Sequence, residues 1–321
     1  MVDTTHLERL LQGKESWNAW RSAHPMVQPD LSEVDFVSLR TSRLGEIPTD
    51  FADWQGLNLA RANLQNITLN VFDLKNADLR GANLRGVHMA GADCEGADLS
   101  DTVATDADIS DVNLRNADLR RCNFSKSKLV LSCILGAYLE RTIFEETDLS
   151  GAIMDGVDLS YSNLRAAKLN MTSLERANLQ AANLEEAELI GVYLSQARLQ
   201  YATLRRAKFA RPSDDWYTSL GGNPGDADLS GVDLEGANLQ QADLRKVYLV
   251  GANLSKANLR GANLREANFI HVGRSAVPDD SKRDFGMIIL RNADFSHADL
   301  RGVDLTGVDL REAILDGAIL Q

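Results

Sequence analysis

The stretch "ADLRGANLRG", residues 77–86, repeats a unit of five residues: Ala, then Asp or Asn, then Leu, then two more variable residues. An α-helix repeats its apolar face about every 3.6 residues and a strand every two, so neither element explains a Leu at every fifth position. We call this Leu, the third residue of the unit, its centre. Centres recur at every fifth residue, without interruption, from Trp54 to Phe209. The spacing therefore predicts a repeat architecture.

The same pattern continues in two further blocks. Their centres run from Leu229 to Phe269 and, shifted by one position, from Leu290 to Leu320. Of the 48 centres, 36 are Leu and five are Phe. The residue two before the centre is usually Ala, and no unit contains Pro. The absence of Pro is what a hydrogen-bonded stack of backbone requires.

Four such units close a four-sided turn of 20 residues, and successive turns stack at the distance between strands, about 4.8 Å. Each centre then points inward and lies over the centre 20 residues away. Asp and Asn are predicted to stabilise the corners, because their side chains bond to nearby backbone. Ala104 replaces the expected Leu, and it falls between Leu84 and Phe124 if the period is 20. The large Phe then offsets the small Ala, as close packing demands.

The units "ADLRG", "ANLSK", "ADLSD" and "ANLRE" resemble the pentapeptide-repeat family, and the resemblance covers roughly residues 50–320. It implies an all-β solenoid, a right-handed quadrilateral parallel β-helix, here of about twelve or more 20-residue turns. Some members of the family protect DNA gyrase from fluoroquinolones as acidic DNA mimics that dimerise through their C-terminal ends. The resemblance thus implies a protein partner, DNA gyrase or topoisomerase IV, and no direct binding of nucleic acid.

Residues 1–28 are predicted to form a helical cap on a β-helix that spans residues 29–321. Thr4 or Thr5 predicts the start of one helix, and Ser16 predicts the N-cap of a second. A solenoid exposes the apolar cross-section of its first turn unless another element covers it. Covering that turn is therefore the expected role of these helices.

Three segments depart from the regular pattern. Leu31 and Phe36 lie five residues apart, so the stack is predicted to begin there in degraded form. Insertions at 212–226 and 272–287 are predicted loops that project from neighbouring corners. Aromatic and charged side chains on loops held by a rigid scaffold suit recognition of a partner. The predicted partner-binding residues on the two loops are Trp216, Tyr217, Arg274, Asp279, Asp280, Lys282 and Arg283. Alternatively, the two aromatic residues fold back and cover a side of the stack.

The formal net charge of −12 argues against binding to a phosphate backbone, which requires Lys and Arg. One predicted turn, residues 93–111, carries seven acids and no base. These residues are Asp93, Glu95, Asp98, Asp101, Asp106, Asp108 and Asp111. Two interpretations are open: bases of neighbouring turns neutralise this acidic turn, or its carboxylates mimic DNA phosphates towards a basic protein groove.

The five His and three Cys show no spacing typical of a metal site, and no nucleophilic triad or phosphate-binding loop is evident. We therefore predict no catalytic residue, no cofactor and no metal. The N-terminal stretch lacks the apolar core of a signal peptide, and no run of 18 apolar residues occurs. A cytoplasmic location is the resulting expectation.

The last two units end in apolar residues where Asp or Asn is usual. Ile314 and Ile319 precede the centres Leu315 and Leu320. An uncovered apolar end favours a second copy, so a homodimer through this end is predicted. The leading hypothesis is a non-enzymatic protein-interaction rod, in its specific form a DNA-mimicking protector or modulator of gyrase or a related topoisomerase. The alternative is a structural or assembly scaffold with no topoisomerase target.

Overall fold

The computed structural model describes residues 4–36, 38–39, 53–210, 226–270 and 286–320. The chain divides into two compact units, Met1–Ile153 and Met154–Gln321. Two helices, α1 at Thr4–Leu10 and α2 at Lys14–Ala23, precede the repeats of the first unit. The repeats contain single-residue β-bridges in place of extended strands.

Parallel bridges join residues one turn apart in both units. In the first unit, Asp78 pairs with Asp98, and Asp98 pairs with Asp118. Each bridging residue directly precedes a centre, and the backbone N–H of that centre donates to a carbonyl of the next turn. The backbone nitrogen of Leu79, for example, lies 2.7 Å from the carbonyl oxygen of Asp98. Four bridging positions recur per turn, which is the quadrilateral parallel β-helix that the five-residue spacing predicts.

The interior consists of the centres and the residues two before them. Every described centre from Trp54 to Leu300 is at most 3% exposed. Ala104 lies fully buried between Leu84 and Phe124, as the 20-residue period requires. Thr142 and Thr102 occupy the inward position of Ala, and each hydroxyl bonds to a neighbouring turn: Thr142 Oγ1 donates to Leu119 O at 2.8 Å and Thr102 Oγ1 to Cys122 Sγ at 3.1 Å. The stack therefore tolerates small polar side chains whose hydroxyl finds an acceptor in a neighbouring turn.

The corners are formed by the two residues after each centre. In one example the N–H of Ala82 donates to the carbonyl of Leu79 at 3.0 Å, and Gly81 has φ of +64°. A positive φ at the third position of such a turn defines type II geometry. Asp78 lies before the corner, on the straight side, and its Oδ1 accepts the N–H of Arg80 at 3.2 Å. Because Arg80 is the first residue of the corner, this bond is the predicted stabilisation of the corner, and Asp78 itself lies just before the corner.

At some corners the side chain of one turn leans towards the next turn and leaves room only for Gly there. A Cβ atom at Gly236 would lie 2.8 Å from the ring of Tyr201, one turn earlier in the stack. In the first unit, a Cβ at Gly151 would lie 2.8 Å from Leu131. A large corner residue thus stands over a Gly, which also adopts the left-handed backbone without strain.

The ladder of bridges continues past the irregular segments. In the first unit Asp30 pairs with Asn63, and Leu31 and Phe36 are fully buried, so the stack begins with these two centres as predicted. In the second unit Tyr193 pairs with Asp228, across the first insertion. Asn253 likewise pairs with Ile289, across the second insertion.

Helix α2 lies against the first regular turn of the first unit. It begins at Lys14 directly after Gly13, which has φ of +104°, so Ser16 lies within the first helical turn and its predicted N-cap role is wrong. Leu10 and Trp17 are buried, and the ring of Trp17 contacts that of Trp20 with their centroids 5.2 Å apart.

Polar side chains of α2 bond to the edge of that turn. Trp17 Nε1 donates to the carbonyl of Asn58 at 2.7 Å, and Asn18 Oδ1 accepts the N–H of Asn58 at 2.9 Å. Arg21 Nη2 donates to the carbonyl of Ala60 at 2.8 Å. In later turns the equivalent backbone groups bond to a preceding turn. Side chains of α2 therefore take the place of a missing strand.

Candidate functional site

The acidic turn is distributed around all sides of the stack in the first unit. Its members alternate between straight sides and corners. Bridging positions hold Asp93, Asp98 and Asp108, corners with positive φ hold Asp101, Asp106 and Asp111, and Glu95 follows the centre Cys94. The seven carboxylates thus form a band around the turn rather than one convergent cluster.

Bases of the neighbouring turns pair with four of these acids. The closest nitrogen–oxygen distances are 2.9 Å for Lys75–Asp93, 3.7 Å for Arg80–Asp98, 2.6 Å for Arg121–Asp101 and 3.6 Å for Arg85–Asp106. Within the described part of the chain, Glu95, Asp108 and Asp111 have no Lys or Arg within ion-pair distance. The acidic turn is therefore neutralised in part.

The Arg121–Asp101 pair shows how the turns are connected. Nε and Nη2 of Arg121 donate to the two carboxylate oxygens of Asp101, each at 2.6 Å. The guanidinium keeps the pKa of Asp101 below its ordinary value. Because both side chains are about half exposed, solvent weakens the attraction, and the pair fixes side-chain positions more than it stabilises the fold.

One side of the first unit carries an ordered ladder of carboxylates. Asp78, Asp98 and Asp118 are bridged in succession. Arg80 donates to Asp78 at 2.6 Å and Arg120 forms a close ion pair with Asp118. Acids and bases interleave on this side, so a partner would meet alternating charges there.

A second surface in the first unit was not found by the sequence reasoning. The run "KLVLSCILGAYL", residues 128–139, places apolar side chains at several successive outward positions that are polar in most other units. Leu131 is 64% exposed, Tyr138 is 62% exposed, and Ile153, bridged to Cys133, is 42% exposed. We call this surface the apolar belt; its residues are Val130, Leu131, Cys133, Leu135, Tyr138 and Ile153. Cys133 and Ile153 lie on one straight side and Tyr138 on the next, so the apolar belt follows part of the turn and presents its exposed side chains to a partner on more than one side.

The last turn of the second unit is partly exposed. The N–H groups of Phe295 and Leu300 donate to the carbonyls of Ile314 and Ile319, each at 2.8 Å. Ile314, Ile319 and Leu320 are nevertheless 43–46% exposed. Ile314 and Ile319 occupy outward bridging positions. Of the described centres at this end, Leu315 is half-buried and Leu320 is exposed, whereas the equivalent centres of earlier turns are buried.

The predicted loop residues Trp216, Tyr217, Arg274, Asp279, Asp280, Lys282 and Arg283 lie outside the described residues. Their role in partner binding therefore stays a prediction. Among the residues that the structure does describe, no group of three His, Cys, Asp or Glu side chains is placed to hold a metal ion. Neither described helix has the length and hydropathy needed to cross a membrane.

The family model described as pentapeptide repeats matches the sequence in eight copies. The matched residues are 72–103, 97–134, 132–170, 172–210, 227–265, 242–272 and 288–321. Because these segments cover more than half of the chain, the protein belongs to the pentapeptide-repeat family. No curated protein matches the chain.

Several solved structures are similar to this chain. HetL, a pentapeptide repeat protein involved in heterocyst differentiation regulation in Nostoc sp. strain PCC 7120, is 28% identical over 81% of this chain and 92% of its own, with a TM-score of 0.33. Full-length QnrB1, a plasmid-mediated fluoroquinolone resistance protein, is 20% identical over 67% of this chain and 91% of its own, with a TM-score of 0.29. Rfr23 of Cyanothece 51142 is 24% identical over 52% of this chain and 86% of its own, with a TM-score of 0.16.

Proposed function

We propose that this chain is a non-enzymatic protein-interaction protein that presents its outward side chains to a protein partner. The observation that supports this function best is the apolar belt. Leu131 and Tyr138 are mostly exposed, and neither contributes to the interior of the stack. Burying the apolar surface of such side chains against a partner is favourable, by roughly 25 cal/mol for each Å² removed from water. Large exposed apolar residues at regular outward positions are therefore suited to binding.

The specific form of the proposal is a DNA-mimicking protector or modulator of DNA gyrase or a related topoisomerase. Its support is electrostatic: the net charge is −12, and Glu95, Asp108 and Asp111 have no basic partner among the described residues. Carboxylates on a regular backbone attract a basic groove over distances up to the Debye length. A cytoplasmic location and a stack of twelve or more turns belong to the same proposal.

The alternative function is a structural or assembly scaffold with no topoisomerase target. The ion pairs of the acidic turn favour this alternative. Asp93, Asp98, Asp101 and Asp106 are each within 3.7 Å of a base on a neighbouring turn. Charges that neutralise one another within the stack are less available to a basic groove.

A gyrase supercoiling assay with a fluoroquinolone tests the specific form. We expect the wild-type protein to restore supercoiling and the double variant Leu131→Asn/Tyr138→Asn to lose this protection. Leu131 has φ of +60°, and Asn tolerates that conformation. Val71→Asn is the matched control, because Val71 is an exposed corner residue with φ of +58° outside the apolar belt. If the wild-type protein gives no protection, the gyrase function is excluded and the scaffold function is favoured. If the double variant protects fully, the apolar belt is excluded as the surface that binds gyrase.

The C-terminal end is proposed to join two copies in a homodimer. Ile314, Leu315, Ile319 and Leu320 would be buried twice in a two-fold contact. We expect sedimentation to show a wild-type dimer and a monomeric Leu315→Glu/Leu320→Glu variant. Gln180→Glu is the control, because Gln180 is exposed, lies in the same unit outside the last turn, and keeps its backbone hydrogen bond to Asn178 in the variant. A wild-type monomer at micromolar concentration would contradict the proposal.

The loops at 212–226 and 272–287 are proposed as an additional contact for the same partner, with Trp216 and Tyr217 as apolar anchors. Helices α1 and α2 are proposed to cap the stack. The cap proposal is supported by the buried ring of Trp17 and by the hydrogen bonds from α2 to Asn58 and Ala60.

A further inference from the structure

A cavity of about 580 Å³ lies in the first unit between α2 and the turns that follow it. Ala60 and Gly81 are the small residues of its lining, and Pro25 and Met26 contribute apolar surface from the segment after α2. Gly81 lacks a side chain, and the Cγ of Arg61 would lie 3.8 Å from a Cβ placed there. The size is typical of a site for a small organic molecule.

The carboxylates that line this cavity are already paired. Both oxygens of Asp78 accept hydrogen bonds from Arg80, at 2.8 and 2.6 Å. Both oxygens of Asp101 accept hydrogen bonds from Arg121 on the next turn. Arg80 Nε also lies 3.7 Å from Asp98 Oδ2. The carboxylates of this region are therefore paired with Arg80 and Arg121.

Two other arginines of the lining have no carboxylate within ion-pair distance among the described residues. Arg21 is 3% exposed, and its guanidinium donates only to backbone carbonyls, at 2.6 Å to Val27 and 2.8 Å to Ala60. Burial lowers the pKa of Arg21, and the positive charge of Arg61 lowers it further, against the opposing effect of Asp78. Arg61 is exposed and has no described ion-pair partner. A bound anion would stabilise both charges.

We propose that this cavity binds a small organic oxyanion, a carboxylate or a phosphate ester, through the exposed guanidinium of Arg61 and the positive field of Arg21. The planar guanidinium group matches the geometry of both kinds of oxyanion. The net charge of −12 repels anions from the protein as a whole. Saturable binding of an anion to this chain therefore reports a local site.

Isothermal titration of the full chain with inorganic phosphate and, separately, with citrate tests the proposal at matched ionic strength. We expect one-to-one binding of at least one anion, weakened about tenfold or more by Arg61→Gln, as is typical for loss of a hydrogen bond to a charged group. Binding of phosphate alone would identify a phosphate ester, and binding of citrate alone would identify a carboxylate.

Arg115→Gln is the matched control, because Arg115 is an exposed arginine of the same unit with no described ion pair and lies outside the cavity. Arg21→Gln is expected to weaken binding as well, and thermal unfolding shows whether that variant is folded. The proposal is overturned if neither anion binds, or if Arg61→Gln and Arg115→Gln bind the anion as wild type does.

Discussion

Leu184→Asp is expected to destabilise the second unit by about 4 kcal/mol or more, which places it among the most damaging single substitutions. Leu184 is a centre with no exposed surface, and its N–H donates to the carbonyl of Thr203 in the next turn. The substitution removes a packed side chain and buries a carboxylate for which the apolar interior offers no partner. Chemical denaturation followed by circular dichroism measures the loss.

Gln180→Asp is the matched control, since it introduces the same residue at an exposed outward position of the same unit. Its effect is expected to stay within about 0.5 kcal/mol, as is usual for surface substitutions. Glu185 directly follows Leu184 and points outward, but it is half-buried and pairs with Arg205, so a substitution there would also remove an ion pair. Equal losses in Leu184→Asp and Gln180→Asp would contradict the assignment of inward and outward positions.

The interior could be read from the sequence because one residue type recurs at one spacing. Leu79 and Leu84 mark the inward positions through their five-residue spacing, and the small Ala104 beside the large Phe124 indicates the period of 20. The position of Asp78 could not be read in the same way. Asp accepts a backbone N–H equally well within a turn or just before it, so composition does not separate the two.

The role of the corner glycines can be inferred from the sequence only once the register of successive turns is known. In the sequence Gly236 is one Gly among many, and only the register of the stack places it next to Tyr201. The ion pair of Arg121 with Asp101 has the same character, because these residues are 20 apart in sequence and adjacent in space. The apolar belt was readable from residues 128–139, where the polar outward positions of the repeat are lost. The insertions keep no period, so the sequence predicts loops at these positions but not the conformation of their residues.

Trp17→Ala is expected to destabilise the first unit by about 3–5 kcal/mol, the usual loss when a buried aromatic side chain is truncated. Trp17 is fully buried at the start of the stack, and its Nε1 donates to the carbonyl of Asn58. Truncation opens a cavity under α2 and leaves this carbonyl without its protein donor. Denaturation of the full chain, monitored by circular dichroism, measures the effect.

Two further variants separate the packing of the cap from its hydrogen bonds. Trp17→Phe keeps an aromatic ring but removes the donor, and a loss of about 1 kcal/mol is expected from a single hydrogen bond. Glu15→Ala is the control, because Glu15 lies in the same helix and is exposed. If Trp17→Ala unfolds like wild type, α2 does not stabilise the stack, and the edge at Asn58 does not depend on this helix. A large loss in Trp17→Ala with a small one in Trp17→Phe would show that burial of the ring dominates, with the hydrogen bond fixing the register of the helix against the first turn.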